Sequence, residues 1–213
     1  MNTIERIFQQ DSSPERFARE YVRYLSTVLA SIDAGEVAAF ASVLLDARNR
    51  GAAVFFIGNG GSAATASHFA NDLAIGTCTW DKPFRVMSLT DNVAVLTALA
   101  NDFGYADVFV RQLRVMLQRG DVVVAISASG NSPNVLRAVE YANIQGATTV
   151  GLTGFDGGKL RPIVNVSVHV PTSQGEFGPV EDAHMVLDHL LSAYLKLACR
   201  AEGPGAAKET ASR

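Results

Sequence analysis

Five short apolar runs, near 53–57, 85–89, 122–126, 148–152 and 165–170, punctuate this chain, and helical patterns near 62–74, 92–118 and 133–145 fill the intervals. Runs such as Val122-Val123-Val124-Ala125-Ile126 carry no polar alternation, so they read as strands covered on both faces. No hairpin signal joins them, and a helix between successive strands forces parallel pairing. The expected fold is therefore α/β: a three-layer α/β/α sandwich around a five-stranded parallel sheet, of the doubly wound, flavodoxin-like kind. The helical stretch 92–118 is expected to break at Asn101–Tyr105.

Two further helices, from Pro14 to Ile32 and from Gly35 to Arg48, precede the first strand, and one from about Val180 to Cys199 follows the last. With 213 residues, nearly half of them apolar, the chain suffices for one core. Residues 1–200 are read as a single domain with an N-terminal helical extension, and 201–213 as a disordered polar tail. These helices exceed what the sheet needs for cover, so their surplus apolar surface is expected to be buried against other subunits. A net charge of −3, without a basic stripe, argues against nucleic acid as a ligand. Cys78 and Cys199 lack metal-type spacing, and neither a signal peptide nor a membrane-length apolar run is visible, so a reducing cytoplasm is expected.

Two strand ends carry anion-binding chemistry. Ser127-Ala128-Ser129-Gly130-Asn131-Ser132 leads from the third strand into a helix beginning at Pro133. Hydroxyls, a glycine and free N–H groups at a helix N-terminus favour a phosphate. No lysine accompanies the loop, which distinguishes it from a nucleoside-triphosphate P-loop and suits a small phosphorylated ligand. Gly58-Asn59-Gly60-Gly61-Ser62 occupies the corresponding end of the first strand. In an open parallel sheet both loops would face one crevice where the strand order reverses.

Titratable side chains cluster on two helices. His68 and Asp72 are spaced i, i+4, so they share a face next to the first loop and form a chelating pair. Glu181, His184, Asp188 and His189 on the last helix supply further possible ligands. Glu181 and His189 lie two turns, about 12 Å, apart, so one metal would have to sit between them to be shared. His184 is read as a packed or solvated residue, and His169, in a strand, as structural.

Taken together, Gly58–Ser62, His68-Phe69-Ala70-Asn71-Asp72, Asn101-Asp102-Phe103-Gly104-Tyr105, Ser127–Ser132, Leu152–Gly158 and Glu181-Asp182-Ala183-His184 resemble the sugar isomerase (SIS) fold, and within it the phosphoheptose isomerases. The resemblance implies an aldose–ketose isomerase that interconverts sedoheptulose 7-phosphate and glycero-manno-heptose 7-phosphate, working as a homotetramer without nucleic acid or membrane. It implies that Asn59, Gly60, Gly61, Ser62, Ser127, Ala128, Ser129 and Ser132 hold the sugar phosphate, with Asn101, Asp102, Asp72 and Glu181 also contacting it. It further implies one Zn2+ held by His68, Asp72, Glu181 and His189, with Asp72 and His189 as the acid/base pair.

The chain departs from the family pattern at four positions. Asp72 stands for a glutamate one methylene longer, and Glu181 for a glutamine, which adds a charge that could admit metals harder than zinc. Gly76 and Gly178 replace an arginine and an aspartate. A related heptose or octose phosphate is an alternative substrate. A non-catalytic adaptor of the same fold that binds a replication initiator is an alternative function, favoured by Thr90-Asp91-Asn92-Val93 and disfavoured by the acid and histidine set.

Overall fold

The computed structural model describes residues 1–202; of the tail expected at 201–213, residues 201 and 202 instead close the last helix and 203–213 lie outside the described residues. Five strands, β1 (Ala53–Gly58), β2 (Arg85–Ser88), β3 (Val122–Ser127), β4 (Thr148–Phe155) and β5 (Val166–Pro171), form one sheet in the order β2-β1-β3-β4-β5. Every pairing is parallel, and Gly58 of β1 stands level with Ile126 of β3. In this order the sense of winding reverses between β1 and β3, which puts the ligand crevice beyond the carboxyl ends of those two strands.

The helices are α1 (Thr3–Gln10), α2 (Pro14–Ala30), α3 (Ala34–Arg50), α4 (Gly61–Asn71), α5 (Val93–Phe103), α6 (Val108–Met116), α7 (Pro133–Gln145) and α8 (Phe177–Glu202). Strand residues alternate between two apolar layers, as a period of two demands. Val54, Phe56, Val124, Ile126 and Leu152 pack with α2, α3, α4 and α8, whereas Phe55, Ile57, Val123 and Ala125 pack with α6 and α7. Both faces of β1, β3 and β4 are thereby dry, which accounts for their unbroken apolar runs, whereas the edge strand β2 leaves Arg85 and Met87 exposed.

Local chemistry sets the helix ends. Asp33 caps α3 by accepting from the Gly35 and Glu36 amides, and Gly51, at φ 67°, ends it in the left-handed region. Pro133 occupies the first turn of α7, where its missing N–H costs nothing. The expected break within 92–118 falls at Gly104, followed by a short 3-10 turn over Tyr105–Asp107. Helix α1 is absent from the sequence expectations. Its signal is a capping box, in which the Asn2 side chain accepts from the Glu5 amide and Glu5 accepts from the Asn2 amide, both at 2.9 Å.

Two features aim the elements that carry the site. Phe69 of α4 is fully buried and stacks on Phe56 of β1 with ring centroids 5.1 Å apart, so the adjacent His68 is turned outward, toward α8. Removing such a ring typically costs about 3–5 kcal/mol, which makes Phe69 the anchor of α4. The buried Glu176, just before α8, is tied to the N-terminal helices by hydrogen bonds from the Thr3 amide and the Tyr24 hydroxyl, and it also accepts from the Ser173 amide.

Candidate active site

The loops after β1 and β3 converge on a pocket of about 110 Å³ lined by Asn59, Ser62, Ser127, Ala128, Ser129, Ser132, Phe177 and Glu181. Its floor is main chain. Helices α4 and α7 both begin here, so unpaired N–H groups and the positive ends of two helix dipoles face the same space. Gly130 has φ 62°, and a Cβ there would overlap the Gly157 carbonyl, so no larger residue permits this turn. The Ser127 and Ser129 hydroxyls accept from the Gly130 and Asn131 amides and so shape the loop, while Ser132 opens α7 without capping it through its side chain. Such a pocket is smaller than the roughly 300–1,000 Å³ of clefts for whole drug-sized ligands and fits one charged end of a ligand.

Asn59 is locked. It exchanges two hydrogen bonds with the buried Asn134, at 2.9 and 2.8 Å, and accepts a third at 2.8 Å from the Tyr105 hydroxyl. Tyr105 and Asn134 are thus positioning residues that the sequence alone did not single out; Tyr105 lies within a segment already noted there, but its target is 46 residues away. Asn101 and Asp102 hydrogen-bond to one another on the exposed end of α5 and do not line this pocket.

The second constellation lies between α4 and α8. His68, Asp72, Asp188 and His189 each offer a ligand atom, and all four atoms lie within 4.8 Å of one another. The His68 and His189 Nε2 atoms are 3.3 Å apart, and His68 Nε2 is 3.6 Å from Asp72 Oδ1 and 3.9 Å from Asp188 Oδ2. Asp72 opens a π-helical turn, Asp72–Gly76, a distortion that often marks functional sites in helices. Asp188 is fully buried; Ser192 Oγ donates to its Oδ1 at 3.1 Å, whereas Oδ2 has no hydrogen-bond partner. Burial, reinforced by the neighbouring Asp72 charge, pushes the Asp188 carboxyl up to about 6.

A divalent metal fits this donor set. Two imidazole nitrogens bound to one tetrahedral zinc at about 2.0–2.1 Å stand roughly 3.3–3.4 Å apart, the spacing already present, and two carboxylates would neutralise the ion. Glu181 is not among the four. Its carboxylate lies against the backbone of Gly61, where any Cβ would overlap it, and it faces the phosphate-sized pocket. Burial raises its pKa, with Asp182 adding to the shift.

His184, between these regions on α8, is completely buried with neither ring nitrogen well hydrogen-bonded, and burial depresses it to about 4. It is a packed residue, as the sequence suggested. His169 is likewise largely buried in β5, beside the Thr153 hydroxyl. At Gly178, the Tyr21 hydroxyl comes within 3.1 Å of where a Cβ would stand and donates to Asp182 at 2.6 Å.

Residues 16–154 match the SIS domain family. The chain is 40% identical over 155 residues to a phosphoheptose isomerase of Rhodospirillum rubrum, spanning 73% of this chain and 81% of that protein. The chain belongs to the SIS-domain family of phosphoheptose isomerases. Solved structures of members agree with the fold described above. The phosphoheptose isomerase from Francisella tularensis superposes with a TM-score of 0.80 at 25% identity, covering 87% of this chain and 99% of that one. That from Neisseria gonorrhoeae gives 0.76 at 30% identity, covering 86% and 98%. The protein is accordingly a sugar-phosphate isomerase, and the adaptor alternative is set aside.

Proposed function

We propose that the protein interconverts sedoheptulose 7-phosphate and D-glycero-D-manno-heptose 7-phosphate, with the phosphate in the serine cradle and the carbonyl end at the histidine–aspartate cluster. One observation carries this reading. Helices α4 and α8 run side by side in the same direction, with Glu181 beside Gly61 at one end and His189 beside His68 further along. Seven or eight residues separate the two regions on each helix, about 10–12 Å along the axes, a span comparable with an extended seven-carbon sugar phosphate.

Aldose–ketose exchange needs a proton taken from the carbon beside a carbonyl and returned to its neighbour. Asp72 is assigned as the base that takes it, and His189, on the facing helix, as the group that gives and receives the hydroxyl proton. The exposed His189 ring can reach a ligand in the crevice, and the partly buried Asp72 lies within the same cluster. Ser127, Ala128, Ser129, Ser132, Asn59, Gly60, Gly61 and Ser62 hold and orient the phosphate, which fixes the reacting carbons relative to these two groups. His68, Asp72 and His189 are suited to hold Zn2+, which when bound supplies Lewis acidity at the substrate's oxygens.

The working form is proposed to be a homotetramer in the cytoplasm. Val186, Leu190, Tyr194 and Leu197 expose an apolar stripe at helical spacing on α8, and α5 exposes Val93 and Phe103, surfaces that call for cover. In such an assembly Asn101 and Asp102 would serve a neighbour's site. Among the described residues no single helix is long and apolar enough to cross a membrane.

The test is incubation with sedoheptulose 7-phosphate and a panel of other ketose phosphates, with and without chelator, followed by NMR identification of the product. Formation of the manno-heptose 7-phosphate is expected; turnover of another sugar phosphate in its place would overturn the substrate assignment. A monomeric mass in solution at micromolar concentration would overturn the assembly.

A further inference from the structure

The resemblance names Glu181 as the fourth metal ligand, but the geometry favours a different residue. Glu181 sits with its carboxylate on Gly61, at the cradle end of α8, and is not among the four groups whose ligand atoms converge. Asp188 is among them. Its side chain is fully buried, Ser192 holds Oδ1, and Oδ2 has no hydrogen-bond partner and faces His68 Nε2 at 3.9 Å. A buried carboxylate oxygen left without a partner is strongly unfavourable, and its surroundings here are two imidazoles and a second carboxylate. A hydrogen-bonded Oδ1 with a free Oδ2 is the arrangement expected of a ligating carboxylate oriented by an outer partner.

We propose that Asp188 is a metal ligand of this chain, completing with His68, Asp72 and His189 a two-histidine, two-aspartate site, and that Glu181 belongs to the phosphate cradle instead. The inference rests on the isomerase reading only in taking the cluster to hold a divalent cation. Two segments supply the ligands: α4 with the π-helical turn that continues it gives His68 and Asp72 one turn apart, and α8 gives the adjacent Asp188 and His189. Two carboxylates and two neutral imidazoles leave a divalent ion with no net charge to be solvated, which suits a site half enclosed between helices.

The test compares Asp188→Asn with Glu181→Gln by titrating Zn2+ into chelator-treated protein against a chromophoric competitor and by recording the visible spectrum of the Co2+-loaded forms. The parent is expected to take up about one Zn2+ per chain. Asp188→Asn should weaken Zn2+ by about a hundredfold or more and alter the cobalt bands, whereas Glu181→Gln should stay within roughly threefold with an unchanged spectrum. Should Asp188→Asn fail to give the parent's far-ultraviolet circular dichroism, Ser192→Ala decides. Loss of the outer hydrogen bond should cost about tenfold in Zn2+ affinity, and no loss would overturn the proposal. Parental Zn2+ affinity and cobalt spectrum in Asp188→Asn, or their loss in Glu181→Gln alone, would also overturn it. Isomerase assays on the parent keep the two readings apart. A parent that binds Zn2+ through Asp188 yet isomerises no sugar phosphate breaks the functional reading and leaves this one standing. An active parent whose Asp188→Asn variant keeps its metal does the reverse.

Discussion

The proposed phosphate cradle lies beside the starts of α4 and α8, the histidine–aspartate cluster lies about two turns further along the same two helices, and the two are built on opposite principles. The cradle is mostly main chain: two glycine- and serine-rich turns whose N–H groups are aimed by β1, β3 and the helices that follow them. The cluster is entirely side chain, four groups brought within 4.8 Å by the packing of α4 on α8. Backbone donors tolerate loss of one hydroxyl, because the rest of the ring of donors survives. The proposed base and acid, one of each, leave no such reserve. The cradle should therefore fail gradually and the cluster abruptly.

The largest expected effect tests the abrupt side. Asp72→Asn keeps the size and one oxygen but removes the proton acceptor, so turnover should fall by about 10²–10⁴-fold while KM changes little, read from steady-state kinetics. A variant with half the parental kcat would remove Asp72 from the chemistry. Next comes His184, which lies between the two regions and links them through α8. Burial holds it near pH 4 against an ordinary 6.5, so the folded state refuses a proton that the unfolded chain accepts. Its contribution to stability is complete above pH 6.5 and falls through the window from about 6.5 to 4, amounting to something on the order of 3 kcal/mol. Asp188, raised to about 6, contributes with the opposite sign over much of that window and does so in both proteins, so the expected result is that the stability of the parent relative to His184→Leu, from denaturant melts, falls by this amount between pH 6.5 and 4; parallel pH profiles would contradict it.

Ser129→Ala probes the gradual side. One hydrogen bond to a charged phosphate should cost about 1.5–3 kcal/mol, or roughly ten- to a hundredfold in affinity for a sugar phosphate, with the melting temperature and zinc content of the parent retained. Equal calorimetric affinities would locate the phosphate elsewhere. The smallest effect carries the opposite sign. Glu181 directs a carboxylate into the cradle, so Glu181→Gln should lower KM for a sugar phosphate by a few-fold, about the effect of one partly screened charge. A rise in KM would mean that the carboxylate serves the ligand.

The same contrast decided what could be read before the fold was known. The sheet was legible because strands covered on both faces leave unbroken apolar runs, and the cradle because a main-chain site occupies contiguous residues such as Ser127–Ser132. His68 and Asp72 were legible as an i, i+4 pair. Asp188 was visible as a candidate and no more, because its neighbour His189 follows it directly and adjacent helical residues ordinarily point in different directions; only burial and an unpartnered oxygen single it out. Glu181's contact with Gly61 joins residues far apart in the chain, and no periodicity encodes it. Helix α1 went unread because its capping signal, Asn2 with Glu5, precedes no long apolar stripe.

The clasp on Glu176 has a practical consequence for anyone preparing the protein. Because the Thr3 amide and the Tyr24 hydroxyl both end on the carboxylate that precedes α8, the first dozen residues are mechanically coupled to the helix that carries Glu181, Asp188 and His189. Trimming residues 1–12 strips one donor from a buried anion and lets the start of that helix drift. An affinity tag or deletion at this end then perturbs the helix that carries the cluster, detectable as faster amide exchange over residues 173–182. Tags are better attached beyond α8, where no contact described above is disturbed.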